Sequence, residues 1–380
     1  MRFFSHFAGV LSILLVLPSH IGAGTTSIKP PAKFNTIVVN NSPKVELSYL
    51  DTGAPPRVTN YPTIFAIHGM IFTNLVFQKL MDLAPSQGVR VVAINRRPFP
   101  GSTPFTDAEL NVIYTGGSGD AERQTQLDNR GREISNFIVN FITQNRLPPI
   151  SNDGKTGGAI ILGWSVGAPY AMAALSSADS LPLASRVVLA AYLRSVVIYE
   201  AAPIAIGLPT PPQNWNPLVD GSIPADLQLE AFGQFITAYF DQNLAPRSLD
   251  ALEWVITSPS RTPTLYTIAA AGKLDAMQRL GSDAQTDLPM LFNFGNQLLQ
   301  SYRKAFYDSA TAAQFPRMKK SVLCGSKTAG FGPNGFWAMQ DDQKVNGPKV
   351  SVTYKMMTGT NHIGHWDDPK IVLSAIMDLS

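Results

Sequence analysis

The residues of this sequence whose types and spacing can do chemistry centre on Gly163-Trp164-Ser165-Val166-Gly167. A serine hydroxyl is a weak nucleophile near neutral pH and needs a base beside it, a role for which imidazole is suited. Of the five histidines, His6 and His20 fall near the N-terminus, which leaves His68, His362 and His365. His362 follows the last strand-like run in Gly359-Thr360-Asn361-His362, where a loop can fold back over the serine, and it is the expected base. His365 is expected to pack or bond beside it. His362 and His365 share a His-x-x-His spacing, but the glutamate of the zinc-protease helix motif is missing, so neither a metal nor a cofactor is expected.

A base of this kind needs a carboxylate to fix its tautomer and offset its developing charge. Between Ser165 and His362, only Glu200 sits directly at the end of an apolar run, Val196-Val197-Ile198-Tyr199, where a carboxylate is costly unless paired. The next run, Ser321 to Gly325, leads into Ser326-Lys327-Thr328-Ala329, which holds no acid. Asp341 or Asp342 is the alternative and would need a longer excursion. A tetrahedral oxyanion also needs two preorganised donors. The Val166 N–H, at a helix start after the serine, and the Met70 N–H, in the turn after His68-Gly69, are the expected pair. His68, Gly69 and Trp164 would then shape the site. Arg96 and Arg97 are expected to pair with nearby carboxylates.

These residues demand a particular scaffold. Ala159 to Trp164 is a buried strand by its apolar run, and a small-residue helical pattern follows Gly167. Strand, sharp turn and helix is the context in which Gly-x-Ser-x-Gly presents its hydroxyl above a sheet, with Gly163 and Gly167 free of side chains that would collide. Further strands are expected at Phe34–Val39, Val45–Tyr49, Thr63–Ile67, Val89–Ile94, Val196–Tyr199, Ser321–Gly325 and Val350–Met356. Helices are expected at Leu75–Leu83, Ala121–Asn145, Ala184–Tyr192 and Ile371–Leu379. From Pro203 to Pro316 the alternation stops. Proline-rich chain gives way to helical patterns at Leu227–Phe240, Leu249–Thr257 and Met290–Phe306, an insertion expected to form a lid over the site. The expected division is therefore a core of 34–203 and 317–380, with a helical cap at 204–316.

Composition narrows the function classes. Apolar residues make up 45% and charged residues 15%, with a formal charge of +3, which describes a globular chain with a sizeable core. No Lys/Arg cluster exists to bind nucleic acid. The lone Cys324 excludes an intramolecular disulfide and reads as a small buried hydrophobe. Arg2, the apolar stretch Phe7 to Leu17, Pro18 and the small residues Gly22-Ala23-Gly24 have the layout of a secretory signal peptide over residues 1–23. The stretch is too short to span a bilayer, so a secreted chain without a membrane span is expected. Asn40-Asn41-Ser42 is a glycosylation sequon followed at once by Pro43.

Taken in order, His68-Gly69, Gly163-Trp164-Ser165-Val166-Gly167 and Asn361-His362 resemble the α/β-hydrolase superfamily, of the AB-hydrolase-1 type, from Phe34 to the C-terminus. The Asn95–Thr103 loop and the junction Tyr199-Glu200-Ala201-Ala202-Pro203 are similar to those of fungal, basidiomycete members. The resemblance implies a mostly parallel eight-stranded sheet flanked by helices, a helical cap inserted between strands 6 and 7, and a Ser–acid–His triad. The chain departs from the pattern after the penultimate strand, where Thr328 falls in place of an aspartate; a known variant of the superfamily carries the acid one strand earlier, at the position of Glu200. The expected chemistry is cleavage of a small carboxylic ester through an acyl-enzyme. The aromatic and proline content of the insertion suggests a bulky or apolar group. Amidase, aminopeptidase, lactonase, thioesterase or acyltransferase activity would use the same triad, and a non-catalytic binding protein on this fold is the alternative from another class.

Overall fold

The structure, a computed structural model, describes residues 34–117, 119–255, 259–279 and 286–380. The expected signal segment, 1–23, lies outside the described residues.

Eight strands form one sheet: β1 Asn35–Asn41, β2 Lys44–Asp51, β3 Thr63–Ile67, β4 Arg90–Ile94, β5 Ala159–Trp164, β6 Leu193–Tyr199, β7 Lys319–Gly325 and β8 Thr353–Met357. Their order is β1-β2-β4-β3-β5-β6-β7-β8. β1 and β2 pair antiparallel at one edge, β2 meets β4 antiparallel, and all later pairings are parallel. Every residue of β3, β4, β5 and β6 is buried. Strands buried on both sides need cover on both faces, and this is why they read as continuous apolar runs rather than alternating ones.

The cover comes from helices α1 Gln78–Leu83, α2 Asp107–Thr115, α3 Asp120–Asn145, α4 Gly167–Ser176 and α5 Leu183–Tyr192, with others after β6. α3 packs on α4 and β1. Its Phe137 and Phe141 meet Tyr49 and Phe65 edge to face at 5.4–6.4 Å. The sheet is the eight-stranded, mostly parallel, helix-flanked architecture that the resemblance implied.

Between β6 and β7 the described chain holds α6 Gln228–Ile236, α7 Thr264–Ala270, the single turn Leu274–Met277, α8 Asp287–Asn293, α9 Gly295–Tyr307 and α10 Ser309–Gln314. Two expectations change here. Leu249–Thr257 was expected to be helical, yet its described part has only a 3-10 turn, Leu249–Ala251, followed by the half-buried Trp254, whose ring lies 2.6 Å from where a Cβ on Gly330 would stand. Met290–Phe306 is two helices that break at Phe294. The insertion is zipped to the core just after β3. Phe72 and Gln278 form an antiparallel bridge, Thr73 N–H donates to Met277 O at 2.8 Å, and Arg279 N–H donates to Ile71 O at 2.6 Å.

After β7 comes α11 Phe331–Asn346, and α12 Pro369–Asp378 ends the chain. No helix among the described residues is long and apolar enough to cross a membrane.

Candidate active site

The carboxyl ends of β3, β5 and β6 meet, because Ile67 pairs with Gly163 and Trp164 with Tyr199. The next residues are His68, Ser165 and Glu200. Ser165 and Glu200 are produced by one local device used twice. Each continues the ladder by one bond, Ser165 N–H to Tyr199 O at 2.8 Å and Glu200 N–H to Leu323 O at 2.9 Å. Each then takes a left-handed backbone, φ 54° and φ 59° respectively. A non-glycine residue pays about 1–2 kcal/mol there, and the sharp turn aims its side chain out of the strand end instead of into a sheet face.

The glycines of the motif make room for that turn. A Cβ on Gly163 would stand 2.8 Å from Ala168 Cα and Ala171 Cβ, and one on Gly167 would be 2.9 Å from His68 O. Gly69 lies against the serine itself, since its Cβ would be 2.9 Å from Ser165 Cβ. Val166 heads α4, and neither its N–H nor that of Met70 donates to a protein acceptor among the described residues.

Glu200 is 1% exposed. Its Oε2 accepts from His362 Nδ1 at 3.1 Å, and its Oε1 accepts from Gly325 N–H. Because a carboxylate only accepts, Nδ1 is the donor in this contact. Nε2 is buried without a partner among the described residues, so no hydrogen bond joins it to Ser165 Oγ in this state. Such bonds are often long in free enzymes and tighten once substrate is bound. The imidazole is seated by aromatic neighbours on the serine's own strand end and beyond β7. Trp164 Nε1 donates to His362 O at 2.9 Å, the Trp164 ring lies 5.2 Å away, and Phe331 meets the imidazole edge-on at 5.1 Å.

His365 is fully buried among Phe77, Trp164 and Tyr199, with ring centroids at 4.6–5.8 Å. Burial, then the neighbouring His362, holds its pKa well below the usual imidazole value. It therefore packs as a neutral ring. His68 is also buried and neutral: desolvation first, then Arg96, lowers its pKa. Its Nε2 accepts from Arg96 N–H at 3.1 Å and its Nδ1 donates to Gly69 O at 2.9 Å. Burial, and secondly the charge on Glu200, pushes the Cys324 thiol well up, so it stays protonated and is no rival nucleophile.

Asp341 and Asp342 are elsewhere engaged on α11. Asp341 pairs with Arg247 and Lys344, and Asp342 pairs with Arg303. Arg96 and Arg97 do pair with carboxylates: Arg96 with Asp287 of α8, Arg97 with Glu109 and Glu133. No group of three or more His, Cys, Asp or Glu side chains able to hold a metal occurs among the described residues. A groove of about 630 Å³ bordered by Lys44, Glu109 and Arg132 is lined by none of Ser165, Glu200 or His362.

Three contributors were not foreseen: the Gly325 N–H on Glu200, Phe331 on His362, and Asp287 on Arg96. For the first two a signal existed in the glycines around Phe331, since a Cβ on Gly332 would stand 3.0 Å from Glu200 Oε2. For Asp287 nothing local to it was available.

No family model matches this chain, and no curated protein matches its sequence. Among solved structures it is similar to a bromoperoxidase from Bacillus anthracis (TM-score 0.49, 12% identity, 91% of this chain and 99% of that one). It is also similar to a haloalkane dehalogenase from Paraglaciecola agarilytica NO2 (TM-score 0.48, 14% identity, 92% and 94%). An esterase from Exiguobacterium antarcticum is a third (TM-score 0.44, 11% identity, 88% and 96%).

Proposed function

We propose that this protein is a serine hydrolase of the α/β-hydrolase type that cleaves carboxylic esters, with Ser165 as nucleophile, His362 as base and Glu200 as the orienting acid. The observation that carries the reading is the buried His362–Glu200 contact at 3.1 Å. It joins residues far apart in sequence, leaves Nε2 without a partner among the described residues, and sits one strand from a serine held at φ 54°. In this reading His362 Nε2 takes the hydroxyl proton as Ser165 Oγ attacks the ester carbonyl. The oxyanion is met by the N–H groups of Met70 and Val166. The proton passes to the departing alcohol, and water then repeats the sequence on the acyl-enzyme.

Serine as nucleophile disfavours epoxide hydrolysis and dehalogenation, which on this fold need a carboxylate there. The insertion 204–316 acts as a cap, and its apolar and aromatic content favours bulky or apolar acyl or alcohol groups. Residues 1–23 direct the chain to secretion. The likeness of the Asn95–Thr103 loop to fungal AB-hydrolase-1 members belongs to the same proposal.

A fluorophosphonate probe should label the wild type and leave Ser165→Ala unlabelled. Absence of labelling in folded wild-type protein would favour a binding role for the fold. Hydrolysis screened across ester chain lengths, lactones and aminoacyl amides would then assign the scissile bond.

A further inference from the structure

Arg96 is 1% exposed, and it touches neither Ser165 nor His362 through any hydrogen bond described above. Its guanidinium spends its donors on two sets of partners. Nε donates to His68 O at 3.0 Å and Nη2 to Gly69 O at 2.9 Å. Nη1 and Nη2 also form a two-point pair with Asp287, at 2.9 and 2.8 Å. Both side chains are shut off from solvent, at 0% and 1% exposure. Phe99 and Tyr170 lie over the guanidinium at 5.1 and 4.5 Å. The cation comes from the turn after β4, whereas its counter-ion opens α8 of the insertion.

The carbonyl of Gly69 and the N–H of Met70 belong to one planar trans peptide and point in opposite directions. Drawing the carbonyl toward a buried cation therefore turns the N–H away from it. His68 Nδ1 supplies a second donor to the same oxygen at 2.9 Å. A flipped peptide would strand both donors and turn the Met70 N–H toward the guanidinium. Farther along, the turn is fixed by the insertion, through the Phe72–Gln278 bridge and the Arg279 N–H on Ile71 O. Ile71 has φ 57°, a costly value for a β-branched residue, so this turn keeps its shape only through what surrounds it.

We propose that Arg96 is a positioning residue that aims the Met70 N–H at the oxyanion, and that Asp287 is the insertion-borne counter-ion that keeps it in place. Seating of the insertion then sets the rate of acyl transfer more than the affinity for substrate. This inference rests on Ser165 being the nucleophile.

The test counts active sites with a fluorophosphonate and measures 4-nitrophenyl butyrate hydrolysis per labelled site. Wild type that folds but takes no label sinks the nucleophile reading itself, before any variant is compared. Given labelling, Arg96→Lys keeps a charge but loses the planar fork. Its kcat per site should fall about 10- to 100-fold with KM within about threefold, somewhat less than removal of an oxyanion donor. Asp287→Asn should fall in the same sense and Asp287→Glu should recover most of the loss.

The double variant Arg96→Met/Asp287→Leu removes both buried charges, so it separates positioning from charge burial. It should melt near the wild-type temperature yet remain slow, and its affinity for butylboronic acid, which forms a tetrahedral adduct, should drop by the same factor as kcat. Wild-type kcat per site in a folded double variant overturns the proposal. If the double variant does not fold, Arg96→Lys decides: a wild-type kcat, or a loss carried wholly by KM, overturns it as well.

Discussion

Glu200 is the residue on which the chemical reading can be broken most cleanly. It is buried, it accepts from His362 Nδ1, and its carboxylate also accepts from the N–H of Gly325. Glu200→Gln keeps the size but presents an amide, which can hold the imidazole in the wrong tautomer. We expect kcat to fall by about 10³–10⁴-fold while KM and the melting temperature change little, as read by steady-state kinetics and thermal unfolding. Normal kcat would move the proposed acid to Asp341 or Asp342, which here pair with Arg247 and Arg303. The positions proposed for Ser165 and Glu200 were legible because each directly follows a buried, largely apolar strand, whereas His362 was picked out only by its place after the last strand, β8, which is mostly half-buried or exposed. The Arg96–Asp287 pair was not, because 191 residues separate the partners and only the docked insertion makes them neighbours.

Among the elements, α2 shows how a signal can be present and still be passed over. Thr106 caps it, with Glu109 returning a bond to the Thr106 N–H, the reciprocal Thr-x-x-Glu arrangement that marks a helix start. Only Val112 and Ile113 of it are buried, too short a stripe to stand out in a reading based on periodicity. α11 was missed for a different reason: Gly332, Pro333 and Gly335 read as loop, but proline is tolerated in a first turn. Gly335 packs where a Cβ would strike Ala201 O.

The cap of α2 has a measurable effect. Burial works to raise the pKa of Glu109, but Arg130, the Thr106 N–H and Arg97 together bring it down to about 2 from 4.5. A lowered carboxyl pKa stabilises the fold fully above 4.5 and loses that stabilisation as pH falls toward 2. The gap sets a ceiling of about 3.4 kcal/mol, which solvent screening of this partly exposed carboxylate lowers. Glu109→Gln should therefore be less stable than wild type in urea at pH 7, and the difference should shrink steadily when the titration is repeated at acid pH. Glu133, which still pairs both arginines, should keep the variant folded.

At the scale of the whole molecule, the sheet was readable almost strand by strand, because its central strands are buried throughout and mostly apolar. The insertion was readable as a helical interruption but not in its internal breaks, such as the one at Phe294. Removal of residues 1–23 should abolish export while leaving ester hydrolysis per molecule unchanged, checked by fractionating expressing cells and assaying the purified short form. Retention of the full-length chain inside the cell would remove the case for secretion.

The path of the acid has a longer reach. Glu200 leaves from β6, and the last residue of β7 lends it a backbone N–H while Thr328 lies buried across the space that Gly332 keeps open. Two neighbouring crossings of the sheet thus offer an address for the same negative charge. In a Glu200→Ala background, Thr328→Asp should restore part of the lost turnover. A lineage could move its acid from one codon to the other through an ancestor carrying both, without ever passing through an inert protein.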